Sequence, residues 1–298
     1  MRLSEIQIRD PFLLPVPSEG AYYLFGTTDT DVWGTSATGF DCYRSTDLEQ
    51  WEGPIPAFRA PAGFWADRNF WAPEVFERDG RYFMFASFKS EDAVRSTQIL
   101  VADRPTGPYE LWSDRPVTPA GWECLDGTLF VDEAETPWLV SCHEWKQVWD
   151  GEMILQQLSP DLKTAVGDAR LLFRASEAPW VRPREHEARG ASTGGATAYV
   201  TDGPFLHRLA TGELLMLWSS FGTRGYAIGI ARSTSGTIEG PWTHDAQPLW
   251  AEDGGHGMLA RTLDGGLLLV FHAPNDTPNE RAVLVPVHEE GGRLIAER

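Results

Sequence analysis

Apolar runs along the chain come in pairs joined by short polar turns, and the pairing recurs five times. The second run of each pair is the stronger one: Ala21-Tyr22-Tyr23-Leu24-Phe25, Tyr82-Phe83-Met84-Phe85-Ala86, Trp138-Leu139-Val140, Leu214-Leu215-Met216-Leu217-Trp218 and Leu267-Leu268-Leu269-Val270-Phe271. Turns at Glu19-Gly20, Asp79-Gly80, Thr211-Gly212 and Asp264-Gly265, with an acidic turn at 132–136, precede them. Such turns between apolar runs predict β-hairpins, because glycine accepts the positive φ that a tight hairpin needs. A third run and usually a fourth follow, as at Gln98–Ala102 and Tyr226–Ala231, while helical periodicity is nearly absent. The repeats start at 10, 72, 126, 202 and 255, a spacing suited to four short strands plus loops. The pattern predicts an all-β, five-bladed β-propeller over residues 1–298 as a single domain. The longest linker, 177–198, is expected as a surface loop, either one lying over the pocket or a plain exposed one.

The repeat starts carry the chemistry. Asp10, Asp126 and Asp202 open three repeats at what reads as the same position, and His256 opens the fifth. In a propeller the first strand of each blade lines the central channel, so these side chains converge there. The antiparallel second strands end on the same rim, which adds Thr27, Ser87-Phe88, Cys142-His143-Glu144-Trp145, Ser219 and His272.

Composition narrows the partners. A formal net charge of −18 disfavours nucleic acid and anionic membranes, both of which reward a basic surface. Thirteen Trp, 15 Phe and 7 Tyr suit a surface that stacks on sugar rings. The three cysteines lack metal-type spacing, and the first ten residues lack an apolar leader, so a cytoplasmic protein is expected. Several carboxylates in one aromatic-lined pocket is what glycoside hydrolysis requires. One must be protonated to donate to the leaving oxygen; another must be ionised to activate water or attack carbon.

Arg9-Asp10-Pro11-Phe12, Trp71-Ala72-Pro73-Glu74-Val75, Leu125-Asp126-Gly127-Thr128-Leu129 and Asp202-Gly203-Pro204, in that order, resemble glycoside hydrolase family 43. The resemblance covers essentially the whole chain. It implies a five-bladed propeller that cleaves arabinosides or xylosides with inversion, with Asp10 as general base and Asp126 as the carboxylate tuning the acid. Asp202 would be the general acid, Trp71 an aromatic wall, and His256 the histidine of a central divalent ion such as calcium. The chain departs from the family at the acid, where Asp-Gly-Pro replaces Glu-Gly-Pro and shortens the reach by one methylene. Glu144 competes for that role, Asp202 being preferred. His143, Trp145, Phe88 and Arg281 are candidate sugar contacts, each with a structural alternative. An exo-acting α-L-arabinofuranosidase working on imported oligosaccharides is the leading expectation, with a β-D-xylosidase close behind. A non-catalytic carbohydrate-binding propeller is a further alternative. A retaining fructosidase-type enzyme, with Asp10 as nucleophile and Glu123 as acid, is the remaining one; it would bring the two carboxyls to about 5–5.5 Å, against about 6.5–9.5 Å for inversion.

Overall fold

Hairpin chemistry sets the blades. In the second blade Asp79 and Gly80 both hold positive φ, 54° and 72°. Arg78 pairs directly with Arg81 across them, which fixes the register of the strands on either side. The computed structural model describes residues 1–29, 31–34, 36–185 and 197–297.

Five four-stranded antiparallel sheets follow one another, each built from consecutive strands in sequence order. The first comprises Arg9–Val16, Ala21–Thr27, Gly39–Ser45 and Glu52–Arg59; the second Arg68–Arg78, Arg81–Lys89, Ser96–Ala102 and Glu110–Leu111. The third runs Cys124–Val131, Pro137–His143, Glu152–Leu158 and Ala165–Arg174; the fourth Asp202–Arg208, Leu214–Gly222, Gly225–Ser233 and Trp242–His244. The fifth has Gly255–Arg261, Leu267–Ala273, Arg281–Glu290 and Arg293–Ala296. Their first strands stand side by side in a ring, the first touching both the second and the fifth. This is the propeller that the repeats predict. The outer strands Ala165–Arg174 and Arg293–Ala296 are the ones the apolar pattern does not announce, since each buries a single residue, Phe173 and Leu294.

Burial peaks at the second strand of each blade and falls toward the outer edge. The second strands Ala21–Thr27 and Pro137–His143 are buried at every position, because blades cover both faces. The outer strand Ala165–Arg174 is mostly exposed. Between the first two blades, Phe40, Phe58, Phe64, Phe70 and Phe88 pack edge to face, with Phe70 and Phe88 at 4.8 Å. Phe88 is fully buried in this cluster, so the expected sugar contact is a core residue. It stands near the end of its strand, with its side chain turned into the interblade space.

Because every blade is made of consecutive strands, the ring is closed by the N-terminal segment. Gln7 bridges to Arg281, and the Arg281 Nε donates to the Ser4 carbonyl at 2.9 Å. The other end of the guanidinium donates to the Pro278 and Glu280 carbonyls. Arg281 therefore ties the seam and does not reach the channel, which corrects its expected role at the sugar. The linker 177–198 is only partly a surface loop. Trp180 is buried against Trp218 at 5.0 Å, and Arg184–Glu185 pairs with Thr197–Ala198. Residues 186–196 lie outside the described residues. Among the described residues, no helix is long and apolar enough to cross a membrane.

Candidate active site

Each inner strand carries a β-bulge at its rim end, and each bulge has one residue in the left-handed region. These are Asp10 (φ 50°), Ala72 (46°), Asp126 (55°), Gly203 (51°) and His256 (50°). The bulge turns two successive residues toward the axis. Arg9 with Asp10 and Leu125 with Asp126 thus line one cavity of about 630 Å³, as do Trp71, Asp202 and His256. The in-phase member of the fourth blade is Gly203, so Asp202 sits one residue earlier than Asp10 and Asp126. The expectation of three aspartates at one repeat position is corrected to two in phase and one out of phase. Asp-Gly-Pro and Asp-Gly-Thr look alike as tripeptides but lie in different frames of the bulge.

The backbone amides of the bulges are held by side chains. Ala72 donates to Thr27 Oγ1 (2.9 Å), Asp126 to Ser87 Oγ (2.9 Å), and His256 to Ser219 Oγ (3.0 Å). Asp10 donates to His272 Nδ1 at 3.1 Å. In the third blade the matching side chain is the Cys142 thiol, opposite Leu125, and Gly203 donates instead to Asp126 Oδ2 at 3.0 Å.

The carboxyls are close together and differently charged. His256 Nδ1 lies 3.5 Å from Asp10 Oδ1 and 3.5 Å from Asp126 Oδ2, and its Nε2 lies 3.9 Å from Glu74 Oε1. Burial pushes the Asp10 carboxyl up, but His256, Arg9 and the Thr27 hydroxyl (2.8 Å) outweigh it and hold it below its usual value. Asp126, buried and facing Asp10, is raised to about 6 in spite of His256 and the Gly203 amide. Asp202 is raised well above the usual range, by burial and by the Asp126 charge, although the Tyr226 hydroxyl donates to its Oδ2 at 2.9 Å. One floor therefore carries a carboxyl biased toward its ionised form and another biased toward its protonated form. Glu74, buried beneath it, is also raised by burial, with His256 opposing. In the sequence Glu74 is one letter of a motif, with nothing to mark a role.

The two histidines differ. Burial opposes charge on His256, yet Asp126, Glu74 and Asp10 raise it to about 10, so it stands as the countercharge of the cluster. His272 is lowered by burial to about 4, and its neutral ring accepts the Asp10 amide and meets Asn275 Oδ1 at 3.3 Å. Its 3.6 Å approach to Asp10 Oδ1 is thus not an ion pair. At the place expected for a calcium ion, His256 turns both ring nitrogens toward carboxylates, Asp10 and Asp126 at Nδ1 and Glu74 at Nε2. Among the described residues no group of three His, Cys, Asp or Glu side chains is arranged to hold a metal.

Loops of several blades wall the cavity. Trp71 lines it, its Nε1 bonded to the Val32 carbonyl at 2.8 Å and Arg95 stacked on its ring at 3.7 Å. Trp33, missed in the sequence because its loop lacks any strand pattern, stands on edge against Trp71 at 5.2 Å and remains 59% exposed. Trp145 lines the opposite wall. Glu144 reaches the cavity, but Arg95 engages its Oε2 (3.4 Å) and Lys146 its Oε1 (3.1 Å), which leaves neither oxygen uncommitted. His143 does not reach it. That ring stacks on Trp122 and bonds Glu152 (2.9 Å) and Gln147 (2.7 Å), a structural role that corrects its expected sugar contact. Glu123 lies outside the cavity wall; burial would raise it, but Lys89 at 2.6 Å and the Arg95 amide hold it lowered. Away from the cavity it cannot meet a sugar held over Asp10, which leaves the fructosidase-type alternative without its acid.

Comparison with known proteins agrees with this geometry. The chain is 41% identical to a solved endo-arabinase from Bacteroides thetaiotaomicron, covering 98% of each chain with a TM-score of 0.88. An α-L-arabinofuranosidase structure from Lactobacillus brevis shares the fold at 17% identity, covering 98% of this chain and 95% of that one, with a TM-score of 0.72. A curated xylosidase/arabinosidase from Humicola insolens is 22% identical over 139 residues, 46% of this chain and 36% of that relative. The curated relatives are matched over less than half of their own length. The family described as glycosyl hydrolases family 43 matches residues 4–290. The chain belongs to glycosyl hydrolases family 43.

Proposed function

We propose that the protein is an inverting, exo-acting glycosidase that releases pentose from arabinose- or xylose-containing oligosaccharides, with α-L-arabinofuranosides preferred. The observation that carries this reading is the meeting of Asp10, Asp126 and Asp202 in one cavity, with Asp10 held below its usual value and Asp202 pushed well above it. In the proposed reaction Asp202 gives its proton to the glycosidic oxygen as the bond to the anomeric carbon breaks. A water attacks that carbon from the opposite face, and Asp10 takes the water's proton. Asp126 serves indirectly: its charge keeps the proton on Asp202. Trp71 and Trp33 offer flat faces for sugar rings.

Exo action is supported by the walls, to which all five blades contribute around the cavity. An endo mode is the second reading, favoured by the name of the 41% identical relative. Products from linear arabinan discriminate them: arabinose alone supports the exo reading, and a ladder of oligosaccharides overturns it. Inversion is tested by proton NMR of the first-formed anomer of a nitrophenyl α-L-arabinofuranoside. The β-anomer is expected, and the α-anomer would overturn inversion. No turnover on any pentoside, with tight oligosaccharide binding, would instead favour the non-catalytic alternative.

A further inference from the structure

Tyr226 opens a buried strand and reads in the sequence as one more apolar residue. In the fold it occupies a fitted slot. Its ring lies nearly parallel to His272 (5.9 Å between centroids, 25°) and tilted against Phe221 (5.3 Å). Its amide donates to Asp253 Oδ1 at 3.2 Å. A Cβ on Gly255 would come within 2.3 Å of the ring, so the glycine at 255 makes the slot. The hydroxyl then has one carboxyl partner, Asp202 Oδ2, at 2.9 Å.

We propose that Tyr226 is a positioning residue that assigns the two oxygens of Asp202: its hydroxyl occupies Oδ2, and Oδ1 carries the proton that is given to the leaving oxygen. The proposal rests on the reading of Asp202 as the acid. A carboxyl torsion is broad and two-fold, so an aspartate without such a partner exchanges its oxygens freely. An acid one methylene shorter than glutamate depends more on presenting the correct oxygen. The transfer is balanced. The O–H bond at Oδ1 breaks as an O–H bond forms on the glycosidic oxygen, which keeps the electron pair of its broken bond to carbon. Asp202 is left as a carboxylate whose Oδ2 accepts the Tyr226 hydroxyl, the form that this hydrogen bond favours. The charged and titratable groups around Tyr226 are Asp202, Asp10, Asp126, Arg9, Asp253 and the neutral His272.

The test is Tyr226→Phe, assayed on two pentosides of the same sugar, one with a sugar leaving group and one with dinitrophenolate. For the sugar leaving group kcat should fall about tenfold or more, within the range of a general-acid contribution, with KM little changed. For dinitrophenolate, which needs no proton, kcat should change less than about threefold. The basic limb of the pH profile should move up, because the lost donor favours the carboxylate. A difluorotyrosine at 226 keeps the shape and strengthens the donor, so it should move the same limb down, and it stands in if the phenylalanine variant does not fold. Equal losses on both substrates, or an unmoved basic limb in the folded variants, overturn the proposal. Asp202→Ala separates the two levels. If it shows no leaving-group dependence the acid reading fails; if it does and Tyr226→Phe does not, only the role of Tyr226 fails.

Discussion

Asp10 and Asp202 differ less in type than in company. Arg9, His256 and the Thr27 hydroxyl surround the first, whereas the second meets burial, the Asp126 charge and one phenol. Asp10→Asn should abolish turnover, a loss of at least about a hundredfold on natural glycosides, while the melting curve stays cooperative. Asp202 also bears on stability. Its folded carboxyl titrates above the ordinary value, so the proton preference stabilises the fold at low pH. That contribution is lost as pH rises from the ordinary carboxylate range toward the raised folded value. Asp202→Asn cannot ionise, so above neutral pH it should be more stable than the wild type by about 0.5–2 kcal/mol, read from denaturant midpoints at pH 8. The carboxylates were legible in the sequence because chemistry restricts which residues can do this work. Tyr226 and Glu74 were not, since a polar atom inside an apolar run announces nothing about what it faces. Phe88 and His143 depart from their expected roles for a related reason: a strand end locates a residue on the rim without saying into which space its side chain turns.

At the scale of the element, the bulged inner strand is the device that the five repeats share. It sets a residue in the left-handed region in every blade and fills that place with Asp, Ala, Asp, Gly and His. Four non-glycine residues accept a conformation that costs about 1–2 kcal/mol each. Gly203 is the position where the chain cannot afford a side chain, since a Cβ there would lie 2.8 Å from the His256 ring. Gly203→Ala should therefore destabilise by at least about 1 kcal/mol and displace the countercharge, with kcat falling more than the stability loss explains. Melting and kinetics on one preparation would check both. The hairpins were legible because Asp-Gly and Thr-Gly turns carry a local mechanism. The bulge frame was not, because a one-residue offset leaves the apolar pattern intact, and only the register of the partner strand shows that Gly203 rather than Asp202 is in phase.

Over the whole molecule, the blades supply walls and the axis supplies a shared field. Because Asp126 is raised to about 6, activity should fall as pH drops through that value, with the basic limb set by the release of the Asp202 proton. Asp126→Asn should erase the acid limb near 6 and lower the basic one, since the charge that holds the Asp202 proton is gone; a pH–kcat/KM profile checks this. The five blades were legible throughout, as each repeats the same order of runs and turns. How they close was not, since Gln7 and Arg281 lie at opposite ends of the chain with no local signal joining them.

That closure has a kinetic side. Arg9 pairs with the fully buried Glu280 at 2.6 Å, and the next residue is Asp10. The joint of the ring and the proposed base are thus neighbours on one strand. A molecule that loosens its joint releases Asp10 from its partners while all five sheets are still formed. On warming, activity should then vanish some degrees before the far-ultraviolet signal of the sheets, and recover on cooling from that interval, so that the enzyme reports the opening of its own ring.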